Sequence, residues 1–338
     1  MRNQPFIALF VSIGSMTVAL PPVAAQEPPA IDRSAVPCLA DGRPDLQGVW
    51  DFRSNVPFER RDEDRARAAA QAAVQQREEA RADGRVRDED LEEYNRFWYD
   101  DRVTNQDERT SLIVDPPNGK LPRLVPDTER QVGSYKRAHL PAERPIRYRG
   151  GGAYPNGPED RGLAERCILG FNSGPPIRPG GYNQNLQVFQ TSDYVVIYNE
   201  MVHNARVVPL DGRPHLPDDI RQWTGDSRGY WSGDTLIIES TNFSDKVAGF
   251  DASATSALGN GRALHLTERL RRLDAITLEY EVTVTHPEVF RRPFTAMIPM
   301  TKSGLQIFEY ACHEGNYALT QILSGTRMEE LNASQENE

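Results

Sequence analysis

The chain has 338 residues and carries 39 Lys+Arg against 49 Asp+Glu, a formal net charge of −10. Acidity without a basic stripe excludes nucleic acid and anionic membrane surfaces as natural partners. This length allows one large domain or two small ones.

The opening residues, MRNQPFIALFVSIGSMTVALPPVAAQ, read as a secretory signal peptide. Arg2 supplies a positive start, and Phe6 to Leu20 an apolar stretch too short to remain as a spanning helix. Val23-Ala24-Ala25 provides the small residues of a cleavage site. Residues 1–25 are therefore expected to be removed. No later segment has the roughly 18 apolar residues of a membrane span, so a periplasmic or secreted protein without membrane insertion is expected. Cys38, Cys167 and Cys312 match no zinc spacing. In an oxidising compartment one pair closes and one thiol is left over.

Residues 26–44 are Pro-rich without periodicity and predict an extended arm. Asp41 to Phe52, DGRPDLQGVWDF, then leads into a first strand. From Phe58 to Arg96 the composition turns to Ala, Arg and Glu, with few large apolar residues. Helix propensity and i,i+4 charge pairs predict a solvated helical insertion over 58–96. Ser111 to Val114 is a short strand, stopped by the turn residues of Asp115-Pro116-Pro117-Asn118-Gly119. Between Arg149 and Gly181 the chain is loop-like and dense in Gly and Pro; loops of that length are more often lids or binding elements than idle connections.

The remainder is rich in strand signals. Leu186 to Thr191, Tyr194 to Glu200 and Asn204 to Leu210 come first. Gly229 to Trp231 and Thr235 to Ser240 form a hairpin around Ser232-Gly233-Asp234. Leu264 to Leu273, Ile276 to Thr285, Phe294 to Met300 and Leu305 to Cys312 complete the set, and 331–338 is expected to be a disordered tail. Strands joined by Gly/Asp/Pro turns predict an antiparallel barrel or sandwich. Without a βαβ rhythm or a Gly-x-Gly-x-x-Gly fingerprint, a nucleotide-binding fold is excluded.

Gly48-Val49-Trp50 resembles the first-strand signature of lipocalin-type barrels, in which the Trp closes the barrel's end. WSGDTLIIES also resembles a strand pair of lipocalin-like bacterial domains. The longer blocks NEMVHNARVVPLDGRPHLPDDIRQWTGDSRGYWSGDTLIIESTNF and IFEYACHEGNY resemble those of a large group of exported bacterial proteins with no assigned chemistry. The resemblance reaches from about Asp41 to Glu330 and implies a compartment, not a reaction. Together these readings predict a mainly β, antiparallel, lipocalin-like barrel over 45–330, with the charged helical insertion and long Gly/Pro-rich loops.

Strand alternation sorts the polar residues by face. In LHLTERL, Glu268 interrupts the apolar row of Leu264, Leu266 and Leu270. A carboxylate placed so is paired, protonated or functional, and Arg292 is the arginine expected to pair it. Glu279 and Glu281 share the opposite, solvated face of their strand. Glu200 and His203 converge if the strand bulges, and a carboxylate on a histidine holds a general base in one tautomer. His215, in a Gly-Arg-Pro-His turn, reads as a surface histidine.

In IFEYACHEGNY, alternation puts Phe308, Tyr310 and Cys312 on the core side and His313 at the strand end. A Cys312 disulfide to Cys167 or Cys38 is expected, with Cys167 preferred because its loop-rich segment must be tied down. His203, Glu200, His313 and Glu314 lack the spacing of a metal site. Tyr182, Asn183, Arg206, Arg221, Trp223 and Trp231 are the candidate substrate-binding residues, a mixture suited to an aromatic, terpenoid or sugar-like small molecule. The expected function is an exported lyase or hydrolase using cofactor-free and metal-free acid–base chemistry from His203, Glu200, His313 and Glu268. A lipocalin-like binding protein for an apolar or aromatic ligand is the alternative.

Overall fold

Among the described residues, twelve short stretches of β-branched, aromatic and alternating residues form strands. They are β1 (Gly48–Asp51), β2 (Ile113–Asp115), β3 (Arg130–Val132), β4 (Asn185–Gln190), β5 (Tyr194–Asn199), β6 (Ala205–Pro209), β7 (Asp226–Ser232), β8 (Thr235–Thr241), β9 (Ser256–Leu258), β10 (His265–Arg272), β11 (Thr277–Thr285) and β12 (Phe294–Ser303). A helix, α1 (Tyr317–Glu336), follows. This computed structural model describes residues 36–63, 71, 107–126, 128, 130–132, 154–247, 250 and 256–336. The signal peptide, the first part of the arm and nearly all of the helical insertion lie outside the described residues; Phe58 to Asp62, at the start of that insertion, is not helical.

Ten strands make one antiparallel sheet in the order β6-β5-β4-β1-β12-β11-β10-β8-β7, with β2 paired to β12, and β3 pairs with β9 separately. The expected barrel is not closed: no hydrogen-bonded ladder joins the end strands β6 and β7. The two strands meet through side chains instead: methyl carbons of Val208 and Leu210 lie 2.9 and 2.7 Å from where a Cβ on Gly229 of β7 would stand. Pro209 on β6 has no N–H to offer a ladder.

Alternation holds along the long strands. In β10 and β11 every second residue is buried, and the buried rows share one core with Leu186, Val188, Ile197, Leu236, Ile238 and Ile298. On the outer face Glu279 and Glu281 are paired rather than free, with Arg271 at 2.7 Å and Arg269 at 3.1 Å. Trp50 is fully buried. Its indole N–H donates to the Leu46 carbonyl at 2.9 Å, and the Arg272 guanidinium lies 5.3 Å from its ring centre. Arg272 in turn donates to the carbonyls of Asp45, Asp274 and Ala275.

Three expected elements differ. The described end of the arm is a tight turn, with a Cys38–Pro44 bridge and the Leu39 and Arg43 backbones bonded, because Gly42 at φ 81° reverses the chain. Leu305 to Cys312 forms no strand; with no neighbouring strand to pair it, alternation has no face to define, and Phe308, expected in the core, is 72% exposed. Residues 331–336 continue α1 instead of a disordered tail. The helix is fixed through Arg327 to the carbonyls of Pro155 and Asn156 and through Glu330 to the Tyr154 hydroxyl.

Candidate functional site

Strand β5 ends at Asn199, and the chain returns into β6 through a single 3-10 turn, Met201–His203. Met201 and Val202 point inward against Cys167 and Phe171, in a cluster joined by Tyr182, Tyr310 and Cys312. Burying these side chains while reversing the chain forces Val202 to φ 59° and His203 to φ 41°. A positive φ is unusual for any side chain and an outlier for a β-branched one, costing on the order of 1–3 kcal/mol. Cys167 and Asn183, in or beside the same cluster, also have positive φ. Backbone strain is thus concentrated in this corner, as it is at many functional sites.

The exposed His203 ring has Nδ1 3.1 Å from the Tyr310 carbonyl oxygen. A carbonyl only accepts, so Nδ1 carries the proton and the lone pair of the neutral ring is on Nε2. Nε2 has no hydrogen-bond partner among the described residues. Glu200 is buried, and one of its oxygens accepts from the Asn185 side-chain amide at 2.8 Å. The His203 backbone N–H donates to the Glu200 carbonyl at 3.2 Å, but among the described residues no hydrogen bond or ion pair joins the two side chains. The expected bulge is replaced by the 3-10 turn, which hands each side chain a different partner.

Cys167 and Cys312 are disulfide-bonded, with Cα atoms 5.7 Å apart, and the exposed Cys38 is free. The bond ties the Gly/Pro-rich loop to the segment that presents the Tyr310 carbonyl. His313 is exposed just beyond it.

Glu268 has a different setting. It is fully buried and paired bidentately with Arg206, whose Nη2 donates to Oε1 at 2.9 Å and whose Nη1 donates to Oε2. The Tyr280 hydroxyl donates to the same Oε1 at 2.7 Å and accepts the Ile177 backbone N–H at 3.1 Å. Burial, then the Glu268 charge, raises the Tyr280 phenol well above its ordinary value, so it stays a donor. Burial opposes the Arg206 charge, but the carboxylate outweighs it and raises the guanidinium further. Arg292, the expected partner, lies elsewhere and pairs with Asp115 at 3.0 Å. Arg206, expected at a substrate, is instead committed to Glu268.

The remaining candidate binding residues are dispersed. Tyr182 stacks edge-on against Phe171 at 5.4 Å, and the Asn183 carbonyl accepts from Asn172, so these two join the His203 corner. Arg221 donates to the carbonyls of Phe243 and Arg262. Trp223 packs on Leu163, Leu169 and Val247, and Trp231 on the main core beneath Arg43.

One arrangement escaped the sequence reading. His215 Nδ1 lies 2.8 Å from Oδ2 of the buried Asp226, which also accepts the Leu216 N–H at 3.0 Å; its Oδ1 accepts from Arg228 at 2.6 Å. The only signal in sequence is the i,i+2 spacing of Asp226 and Arg228, which puts both on one strand face. Among the described residues no group of three or more His, Cys, Asp or Glu side chains converges as a metal site would require.

No family model and no curated protein matches the chain. Among solved structures it is similar to a point mutant of the fluorescent protein UnaG, at 14% identity and a TM-score of 0.21, over 36% of this chain and 72% of that one. At that level the similarity carries no argument. No helix among the described residues is long and apolar enough to cross a membrane.

Proposed function

We propose that the protein is an exported enzyme of the lyase or hydrolase type that moves a proton with His203 on a small organic substrate, with Glu200 and Asn185 orienting polar groups beside it. The observation that carries this reading is the exposed His203 ring on strained backbone, whose Nδ1–H is fixed on the Tyr310 carbonyl while Nε2 has no hydrogen-bond partner among the described residues. A base needs one unengaged lone pair in a defined direction, and this corner supplies it. Tyr182 and Phe171 offer an aromatic wall next to it. The disulfide fits export, since such bonds persist in oxidising compartments. The fold is read as lipocalin-like, with Trp50 and Arg272 closing the end of the sheet where β1 begins and the long loops gathering at the other.

A binding protein is the second reading, favoured by the apolar rows that dominate the inward face of the sheet. The two separate by experiment. A native mass spectrum of protein taken from its own periplasm reports any retained molecule. Incubation with small aromatic and sugar-like esters, lactones and β-hydroxy carbonyl compounds reports turnover. Turnover supports the enzyme; a retained apolar molecule that the protein never transforms, with no turnover in the panel, would leave the carrier.

A further inference from the structure

The disulfide lies beside the chain on both sides of the contact that fixes His203. Cys167 packs against Met201 and Val202, the two residues that precede His203. Cys312 stands two residues after Tyr310, whose carbonyl accepts the Nδ1–H, and the Cys312 N–H bonds back to that same carbonyl at 2.8 Å. The segment 304–316 has neither strand nor helix to hold it. Asn316 adds a bond to the Glu165 carbonyl at 3.0 Å, again beside Cys167.

We propose that the Cys167–Cys312 disulfide is a positioning device for His203, so that the base acquires its fixed tautomer only once the bond has formed. This rests on the reading of His203 as the base of an exported enzyme. Closing the bond joins the two sulfurs and releases two protons and two electrons. A dithiol-oxidising protein disulfide of the export compartment accepts the electrons by thiol–disulfide exchange and is itself reduced to a dithiol. With both thiols reduced, segment 304–316 is held to the loop that packs on Val202 only by the Asn316 bond and the packing of Tyr310, and the Tyr310 carbonyl is held less firmly over Nδ1. Chain synthesised but not yet exported is thereby kept without an oriented base. Tyr310 and the two cysteines act through His203 and are positioning residues.

Long-range nitrogen–proton NMR of the imidazoles reads the tautomer directly and requires no substrate. The protein is labelled with nitrogen-15 at its 6 histidines, His203 is assigned by its loss in His203→Gln, and spectra are taken at about pH 8.5, where an ordinary imidazole is neutral. Oxidised protein, protein reduced with a phosphine, and the double variant Cys167→Ala/Cys312→Ala are compared, with far-UV circular dichroism as the check on folding. The oxidised form is expected to hold Nδ1–H with Nε2 bare. On reduction, and in the double variant, the ratio should move toward Nε2–H by roughly three- to tenfold, the net worth of one hydrogen bond. A ratio unchanged in both overturns the proposal. Should reduction or the double variant unfold the chain, insertion of two glycines between Tyr310 and Cys312 decides instead. It keeps the disulfide while slackening the carbonyl; the same shift supports the proposal, and an unshifted tautomer overturns it. Absence of turnover in the substrate panel would overturn the enzyme reading while leaving the tautomer result as it stands.

Discussion

Two buried carboxylates, Glu268 on β10 and Glu200 just after β5, have opposite circumstances. Glu268 has three donors and no exposure, whereas Glu200 keeps one oxygen outside any hydrogen bond among the described residues. Removing the charge from Glu268 strands the Arg206 guanidinium in the core, and breaking a buried pair from one side costs about 3–5 kcal/mol. Glu268→Gln should therefore destabilise by about 3 kcal/mol in denaturant titration, while Arg206→Met/Glu268→Met together should cost distinctly less. Equal losses would show that the pair is not the source. His286 gives a pH dependence. It is buried, its Nε2 is 2.7 Å from the Asn260 carbonyl and its Nδ1 has no hydrogen-bond partner among the described residues. Burial lowers its pKa, opposed by the Asn260 carbonyl and by the Glu288 charge. The unfolded chain then binds the proton more readily, so stability is full above the ordinary imidazole value of about 6.5 and falls as pH drops toward the folded value. Thermal unfolding between pH 7 and pH 5 should show this decline, and His286→Gln should flatten it.

At the scale of elements, sequence patterns reported strands well where both neighbours exist. Every long strand from β4 to β12 was legible, because alternation is imposed by one buried and one wet face. The β7–β8 hairpin was legible down to its turn, where Gly233 has φ 58° as the first central residue of a two-residue connection. No atom lies within 4 Å of the place its Cβ would occupy, so Gly233→Ala tests backbone strain alone and should cost about 1 kcal/mol. A neutral result in urea unfolding would contradict the assigned turn. Leu305 to Cys312 shows where the method runs out: alternation in sequence cannot report that no partner strand is present. The Cys167–Cys312 pairing was reachable because a long loop needs an anchor. The Tyr310 carbonyl on His203 was not, since a backbone acceptor leaves no residue-type signal. His215 and Asp226 were missed for a related reason. The histidine lies in an aperiodic loop 11 residues before the strand carboxylate, and without periodicity the spacing says nothing about where such a loop folds back.

At the scale of the whole molecule, the open sheet, the loop-rich end and the disulfide converge on one corner. Strain at Val202 and His203 is tolerated there because Met201 and Val202 bury against the cluster that the disulfide holds. The His203 side chain is exposed and contributes one hydrogen bond, so its substitution should cost no more stability than that one bond is worth. The most direct measurement is the turnover of wild-type protein and of His203→Gln, side by side, on whichever compound of the panel the wild type transforms, with unfolding free energies for both. For His203→Gln, kcat should be lower by at least about 100-fold, with stability lowered by no more than about 1.5 kcal/mol, the worth of the lost hydrogen bond. Equal turnover in the two proteins would contradict this and remove His203 from the chemistry.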